Sequence, residues 1–192
     1  MHTLVFATNN KHKLHEIRKL TGDSFKILSL SEINCFDEIP EDAETLEENS
    51  LSKAMYVYTR FNLDCFADDT GIEIHALGGK PGVISARYAG PECNADNNID
   101  KVLSELSGLT DRSARFRTVI SLIIDGKVSY FEGIVNGRII ESRRGTSGFG
   151  YDPIFMPDGY DRTFAEMDLD LKNQISHRGI ATTKLIDFLK RL

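Results

Sequence analysis

The sequence predicts an α/β protein built on a mixed β-sheet, and three observations carry that prediction. Apolar strand-like runs alternate with helical periodicities through the first half, in the order β-α-β-α-β. The second half holds a long alternating run and two hairpin-type dipeptides, Asp125-Gly126 and Asn136-Gly137, which point to antiparallel pairing. Finally, 192 residues with 41% hydrophobic and 27% charged content suit one globular domain, 1–192, with a sizeable core. Two small lobes around a cleft fit this length better than two independent domains.

Taken in order, Thr3 to Ala7 reads as a buried opening strand that ends in the polar turn Thr8-Asn9-Asn10. Leu14, Ile17 and Leu20 then fall at helical spacing, and Gly22 stops that helix. Phe25 to Leu30 predicts a second strand. An acidic loop, Asp37 to Glu44, leads into Thr45-Leu-Glu-Glu48, whose spacing is that of a capping box. The helix it opens carries Leu46, Ala54, Tyr58 and Phe61, and sets Asn49 and Lys53 one turn apart on a single face.

Cys65 to Ala67 predicts a short strand running into Asp68-Asp69-Thr70-Gly71, followed by a glycine-rich loop, Gly78 to Gly82. Ile99, Val102, Leu103 and Leu106 mark another amphipathic helix. Arg115 to Ile124 reads as a long strand, and the two Gly turns carry a meander through Val128 to Ile140. Ser176 is expected to cap a last helix with Ala181, Leu185, Phe188 and Leu192 on its buried stripe.

Charge excludes some classes. With 23 Lys+Arg against 29 Asp+Glu, the net charge of −6 offers no basic stripe for a nucleic-acid duplex. Three cysteines without CxxC spacing fit neither a disulfide framework nor a zinc site, and suggest a reducing compartment. The chain enters a strand-like run at once, so no signal peptide is expected, and no apolar run is long enough to span a bilayer. The expected location is the cytoplasm, with no membrane partner.

Five segments can carry chemistry. Thr8 to Lys13 places backbone N–H groups and a lysine at a helix start, an arrangement that binds phosphate; the plainer reading is an Asx-rich cap with solvated lysines. Asp68 and Asp69 set adjacent carboxylates after an apolar strand, which favours a divalent cation or a catalytic base over a simple acidic turn. In the acidic loop, Glu38, Glu41, Asp42 and Glu44 are mostly surface candidates, and Glu48 already has a capping role. Ser147 to Pro153 holds Phe149 between two glycines, so that Phe149 or Tyr151 can stack on a nucleobase, or else fold back on the sheet. Lys172, His177 and Arg178 lie around the start of the last helix, where positive groups oppose the helix dipole and suggest an external anion or base as their partner.

Together these segments resemble the inosine triphosphate pyrophosphatase family. The resemblance runs from Thr8 to about Ala181, through TNNKHK, LEENSLSKA, FADDTGIEIHALGGKPGVISARYAG, GFGYDPIF and LKNQISHRGIA. Two departures are mild: Thr70 stands where serine is common and Asn9 where glycine is common.

The resemblance implies an elongated mixed β-sheet flanked by helices, two lobes around a central cleft, and a homodimer. It implies Mg²⁺-dependent hydrolysis of noncanonical purine nucleoside triphosphates to a monophosphate and pyrophosphate. Thr8, Asn9, Asn10, Lys11, His12 and Lys13 would hold the triphosphate beside Lys53. Asp69 would be the general base and, with Glu41, a metal ligand, and Thr70 would touch the substrate. Phe149, Gly150, Tyr151 and Asp152 would take the base together with Lys172, His177 and Arg178. A pyrimidine nucleotide pyrophosphatase and a non-catalytic nucleotide sensor are the competing readings.

Overall fold

The structure is a computed structural model that describes residues 3–191. It is an α/β protein with one mixed sheet flanked by helices. In chain order the regular elements are β1 (Thr3–Phe6), α1 (Lys11–Thr21), β2 (Lys26–Leu28), α2 (Leu46–Phe61), β3 (Cys65–Ile74), β4 (Pro81–Gly82), α3 (Ala95–Glu105), β5 (Ser113–Ile124), β6 (Lys127–Ile139), β7 (Phe155–Pro157), α4 (Leu169–Ile175) and α5 (His177–Leu189). The strands run in the order β2-β1-β3-β5-β6-β7, with β4 beside β3. β1 is parallel to both β2 and β3, with Val5 opposite Leu28 and Cys65, whereas β3–β4 and β6–β7 are antiparallel. Among the described residues no helix is long and apolar enough to cross a membrane.

The chain divides into two compact units. The first comprises Met1–Asp69, Thr118–Gly133 and Arg178–Leu192. Its central strands β1, β3 and β5 are buried on both faces, and period-2 alternation sorts their side chains into two cores. Leu4, Phe6, Phe66, Ile120 and Leu122 pack with Ile17 of α1 and Ala181 and Leu185 of α5. Val5, Ala7, Cys65, Ala67 and Ile123 pack on the other side with Ala54 and Val57 of α2. The Phe6 and Phe66 rings stack with centroids 4.6 Å apart. The second unit, Thr70–Arg117 and Ile134–His177, has its own core of Ile72, Ile74, Ile99, Val102, Phe116, Phe155 and Phe164.

The helix starts follow local chemistry. Asn10 caps α1 by accepting from the N–H groups of His12 and Lys13, and the Thr45 hydroxyl accepts from Glu48 N to cap α2. Asp125 and Gly126 both take positive φ and form the expected turn between β5 and β6.

Three expectations are corrected. Asn136-Gly137 is not a turn but part of β6, where Gly137 pairs with Pro157 of β7. A Cβ on Gly137 would lie 2.9 Å from the Pro157 Cα, so this glycine serves a close backbone approach. The strand at Cys65 is not short; it continues through Asp68, Asp69 and Gly71 to Ile74. A further helix, α4, precedes the last one and carries Lys172. In α5, Ala181 and Leu185 are buried as expected, Phe188 is only half-buried, Leu189 is buried though the expected stripe did not include it, and Leu192 lies outside the described residues.

Candidate active site

β3 presents two adjacent carboxylates to two different environments. Successive strand residues face opposite sides, so Asp68 turns toward α1 and α5 and Asp69 toward α2. Asp68 is fully buried; Lys13 Nζ lies 2.9 Å from its Oδ1 and Arg178 Nε donates to its Oδ2 at 3.1 Å. Arg178 also donates through Nη1 to Glu16 at 2.6 Å, completing a buried chain of alternating charge. Burial opposes ionising Asp68, but the charges of Lys13, Arg178 and Lys53 outweigh it and hold this carboxyl well below the usual range. The same burial lowers the Lys13 ammonium more than Asp68 raises it, and Lys53 and Arg178 add to the depression.

Asp69 behaves in the opposite sense. It retains 6% exposure, and burial pushes its carboxyl up despite the nearby Lys53 and Lys13, with Glu41 adding to the rise. Asn49 Nδ2 donates to Asp69 Oδ2 at 3.0 Å, and Lys53 Nζ stands 3.9 Å from Oδ1. Lys53 also donates to Glu41 Oε1 from the acidic loop. Burial alone would lower the Lys53 ammonium, but Asp69 and Glu41 raise it overall. Two carboxylates therefore meet one buried cation, and among the described residues no group of three or more His, Cys, Asp or Glu is arranged to hold a metal ion.

The turn before α1 is only partly turned inward. Asn9, Lys11 and His12 are exposed, whereas Thr8, Asn10 and Lys13 are half-buried. Thr8 Oγ1 accepts from Asn10 N at 3.2 Å, so the turn is ordered from within. Glu48 stays at the cap, accepting from the Thr45 hydroxyl at 3.0 Å.

In the second unit the glycine-rich segment folds around Asp152. Its Oδ2 accepts from Phe149 N and from Lys172 Nζ, each at 2.8 Å, and both Asp152 and Lys172 are buried. A Cβ on Gly148, which has φ +78°, would collide with that same Asp152 oxygen. The Lys172 ammonium lies 4.9 Å from the centre of the half-buried Phe149 ring. Tyr151 differs from its sequence expectation. Its ring belongs to the core and its hydroxyl donates to the Ser85 carbonyl at 2.7 Å, whereas the Phe149 ring is half-buried. His177 is buried and lies flat on Phe116, centroids 4.4 Å apart. Thr70 follows Asp69 along β3, and Gly71 beside it leaves no room for a Cβ, which would approach Gly82 O to 2.5 Å.

Two site neighbours escaped the sequence reading. Glu16 was not singled out, although it shares a helix face with Lys13 three residues earlier. Asn49 was placed beside Lys53 but given no task, and its signal was an amide residue at the start of a helix, beyond its cap.

This geometry is found in a chain with many relatives. The model of the Ham1 family matches residues 4–188. A dITP/XTP pyrophosphatase of Flavobacterium johnsoniae is 54% identical over 186 residues, covering 97% of each chain. The dITP/XTP pyrophosphatase of Porphyromonas gingivalis is 53% identical over 190 residues, covering 98% of each. The solved structure of a HAM1 protein from Coxiella burnetii superposes with a TM-score of 0.92 at 38% identity, over 100% of both chains. That of the Ham1 protein of Staphylococcus aureus gives 0.89 at 37% identity, over 98% of both. A match this long in sequence and fold, on a chain whose paired aspartates and SHR segment are in place, shows that the protein belongs to the Ham1 family.

Proposed function

We propose that the protein hydrolyses noncanonical purine nucleoside triphosphates, such as ITP, dITP and XTP, to the nucleoside monophosphate and pyrophosphate. The observation that carries the reading is the divergence of Asp68 and Asp69. Asp68 is held ionised by two cations, which suits a structural anchor for Lys13. Burial raises the Asp69 carboxyl beside Lys53, which suits a group that takes up a proton.

Asp69 takes the proton of the attacking water as the α–β anhydride opens. Thr8, Asn10, Lys13 and Lys53 hold the phosphates, with Asn9, Lys11 and His12 at the exposed edge of the same turn. Asp69 and Glu41 fit Mg²⁺, which is commonly bound by one or two carboxylates together with phosphate oxygens. When bound, the cation neutralises charge on the anhydride and polarises its P–O bonds. Phe149 stacks on the base, while Lys172, His177 and Arg178 supply donors for a 6-keto oxygen. The five N–H donors of a guanidinium allow one arginine to serve carboxylates and a keto oxygen together. The resemblance further implies a cytoplasmic homodimer of one domain, 1–192, that clears deaminated purines from the nucleotide pool.

The test is pyrophosphate release over ITP, dITP, XTP, GTP, ATP and a pyrimidine triphosphate, each with Mg²⁺ and with chelator. Fast release from the first three with Mg²⁺ only is expected. Binding without release would favour the sensor, and equal release from the pyrimidine nucleotide would favour the other pyrophosphatase reading.

A further inference from the structure

Asn49 lies in the first turn of α2 and is only 1% exposed. An asparagine is a poor choice there, because its amide competes with the helix backbone and must be satisfied when buried. Both ends of the amide are used. Oδ1 accepts from Ala43 N at 3.0 Å, and Nδ2 donates to Asp69 Oδ2 at 3.0 Å. The orientation is set by its partners: turned over, the amide would face a carboxylate with oxygen and an N–H with its own donors. Ala43 is two residues from Glu41, and Lys53, one helical turn on from Asn49, pairs with Glu41 and stands 3.9 Å from Asp69 Oδ1. A single side chain thus ties the acidic loop to β3 and commits one Asp69 oxygen to α2, turning the other toward Lys53.

We propose that Asn49 is a positioning residue for the hydrolysis: it fixes the rotamer of Asp69 and the reach of Glu41, so that the two carboxylates keep the separation the reaction needs. This rests on the reading of Asp69 as the base, so Asp69→Asn is measured alongside. Asn49→Asp keeps the shape and the bond from Ala43 N but cannot donate to Asp69, whereas Asn49→Ala loses both bonds.

With ITP and Mg²⁺, kcat is expected to fall about 10–100-fold in both variants, the range for a group that orients a ligand, with KM changed less than about threefold. Calorimetric titration of nucleotide-free protein with Mg²⁺ should show binding weakened roughly tenfold in Asn49→Ala. In the double variant with Glu41→Gln, the two losses should combine to much less than their product, because one contact serves both. Melting curves recorded with each variant keep loss of fold separate from loss of rate. Turnover within twofold of the parent in both Asn49 variants overturns the proposal. So does a loss carried by KM alone, or losses that multiply with Glu41→Gln. If Asp69→Asn itself keeps full turnover, the reading of the base fails instead.

Discussion

Asp68 and Asp69 are neighbours in sequence yet reach opposite faces of β3, Asp68 meeting Lys13 at 2.9 Å and Asp69 meeting Asn49 at 3.0 Å. One is enclosed by two cations and the other is only partly compensated, so the same side chain has two chemistries, set by the strand face it takes and the helices packed there. The pair predicts two distinct mutant phenotypes.

Asp69→Asn should lower pyrophosphate release by about 10²–10⁴, as for a lost general base, with the melting temperature little changed. Asp68→Asn instead leaves Lys13 and Arg178 facing a neutral amide in a buried site. Breaking such a pair costs about 3–5 kcal/mol, a drop in melting temperature on the order of 10 °C for a chain of this size. Assays and melting curves on both variants check this, and a stable, active Asp69→Asn would move the base elsewhere.

Glu41 and Glu48 should separate in the same way. Glu41→Gln should raise the Mg²⁺ concentration needed for turnover, since Glu41 shares Lys53 with Asp69. Glu48→Gln should cost about 1 kcal/mol or less of stability through the Thr45 cap and leave the Mg²⁺ requirement alone. Chelator should stop turnover without melting the fold. The opposite assignment in a Mg²⁺ titration would transfer the ligand to Glu48.

Stacking and hydrogen bonding should part on the nucleotide panel. Phe149→Ala should raise KM for ITP and ATP alike by about tenfold, because a π-face does not tell purines apart. Arg178→Lys keeps a positive charge for Asp68 and Glu16 but loses the planar fork. The preference for ITP over ATP, built on hydrogen bonds to the keto group, should then fall by at least about tenfold. Proportional losses on both nucleotides would assign Arg178 to the phosphate side through Asp68.

Acid stability offers a test remote from the site. Hydrogen bonds from the Ser29 hydroxyl and backbone, with Arg18 beyond them, hold the Glu32 carboxyl at about 2. A depressed carboxyl stabilises the folded state above its unfolded value of 4.5, and that contribution fades as pH falls toward about 2. Glu32→Gln should therefore melt a few degrees below the parent at pH 6, because exposed pairs are worth about 1 kcal/mol or less. The gap should close by pH 2; a gap that persists there would mean that Glu32 acts by packing.

Much of this protein was legible locally. Leu14, Ile17 and Leu20 with Gly22 mark α1, and Thr45 with Glu48 marks the start of α2, because helix periodicity and caps depend on residues a few positions apart. Tyr151 and Phe149 were not distinguishable, since both are aromatics beside Gly150 and only the core around Ser85 claims one of them. Asn136-Gly137 failed for a related reason. The dipeptide suits a turn, but β7 pairs with it from some twenty residues further along the chain.

The sequence alone determined most of the element types, the family and most of the residues from which a site can be built. It also supplied the alternation by which Asp68 and Asp69 must part if they lie in a strand. Whether they do lie in one was settled only by tertiary structure. Two charges in a buried strand are tolerable only where cations and donors stand on both faces, and Lys13, Arg178, Asn49 and Lys53 come from three helices far apart in the chain. Local propensity carries no information about such partners, so the electrostatic fate of each aspartate became readable only with the helices in place.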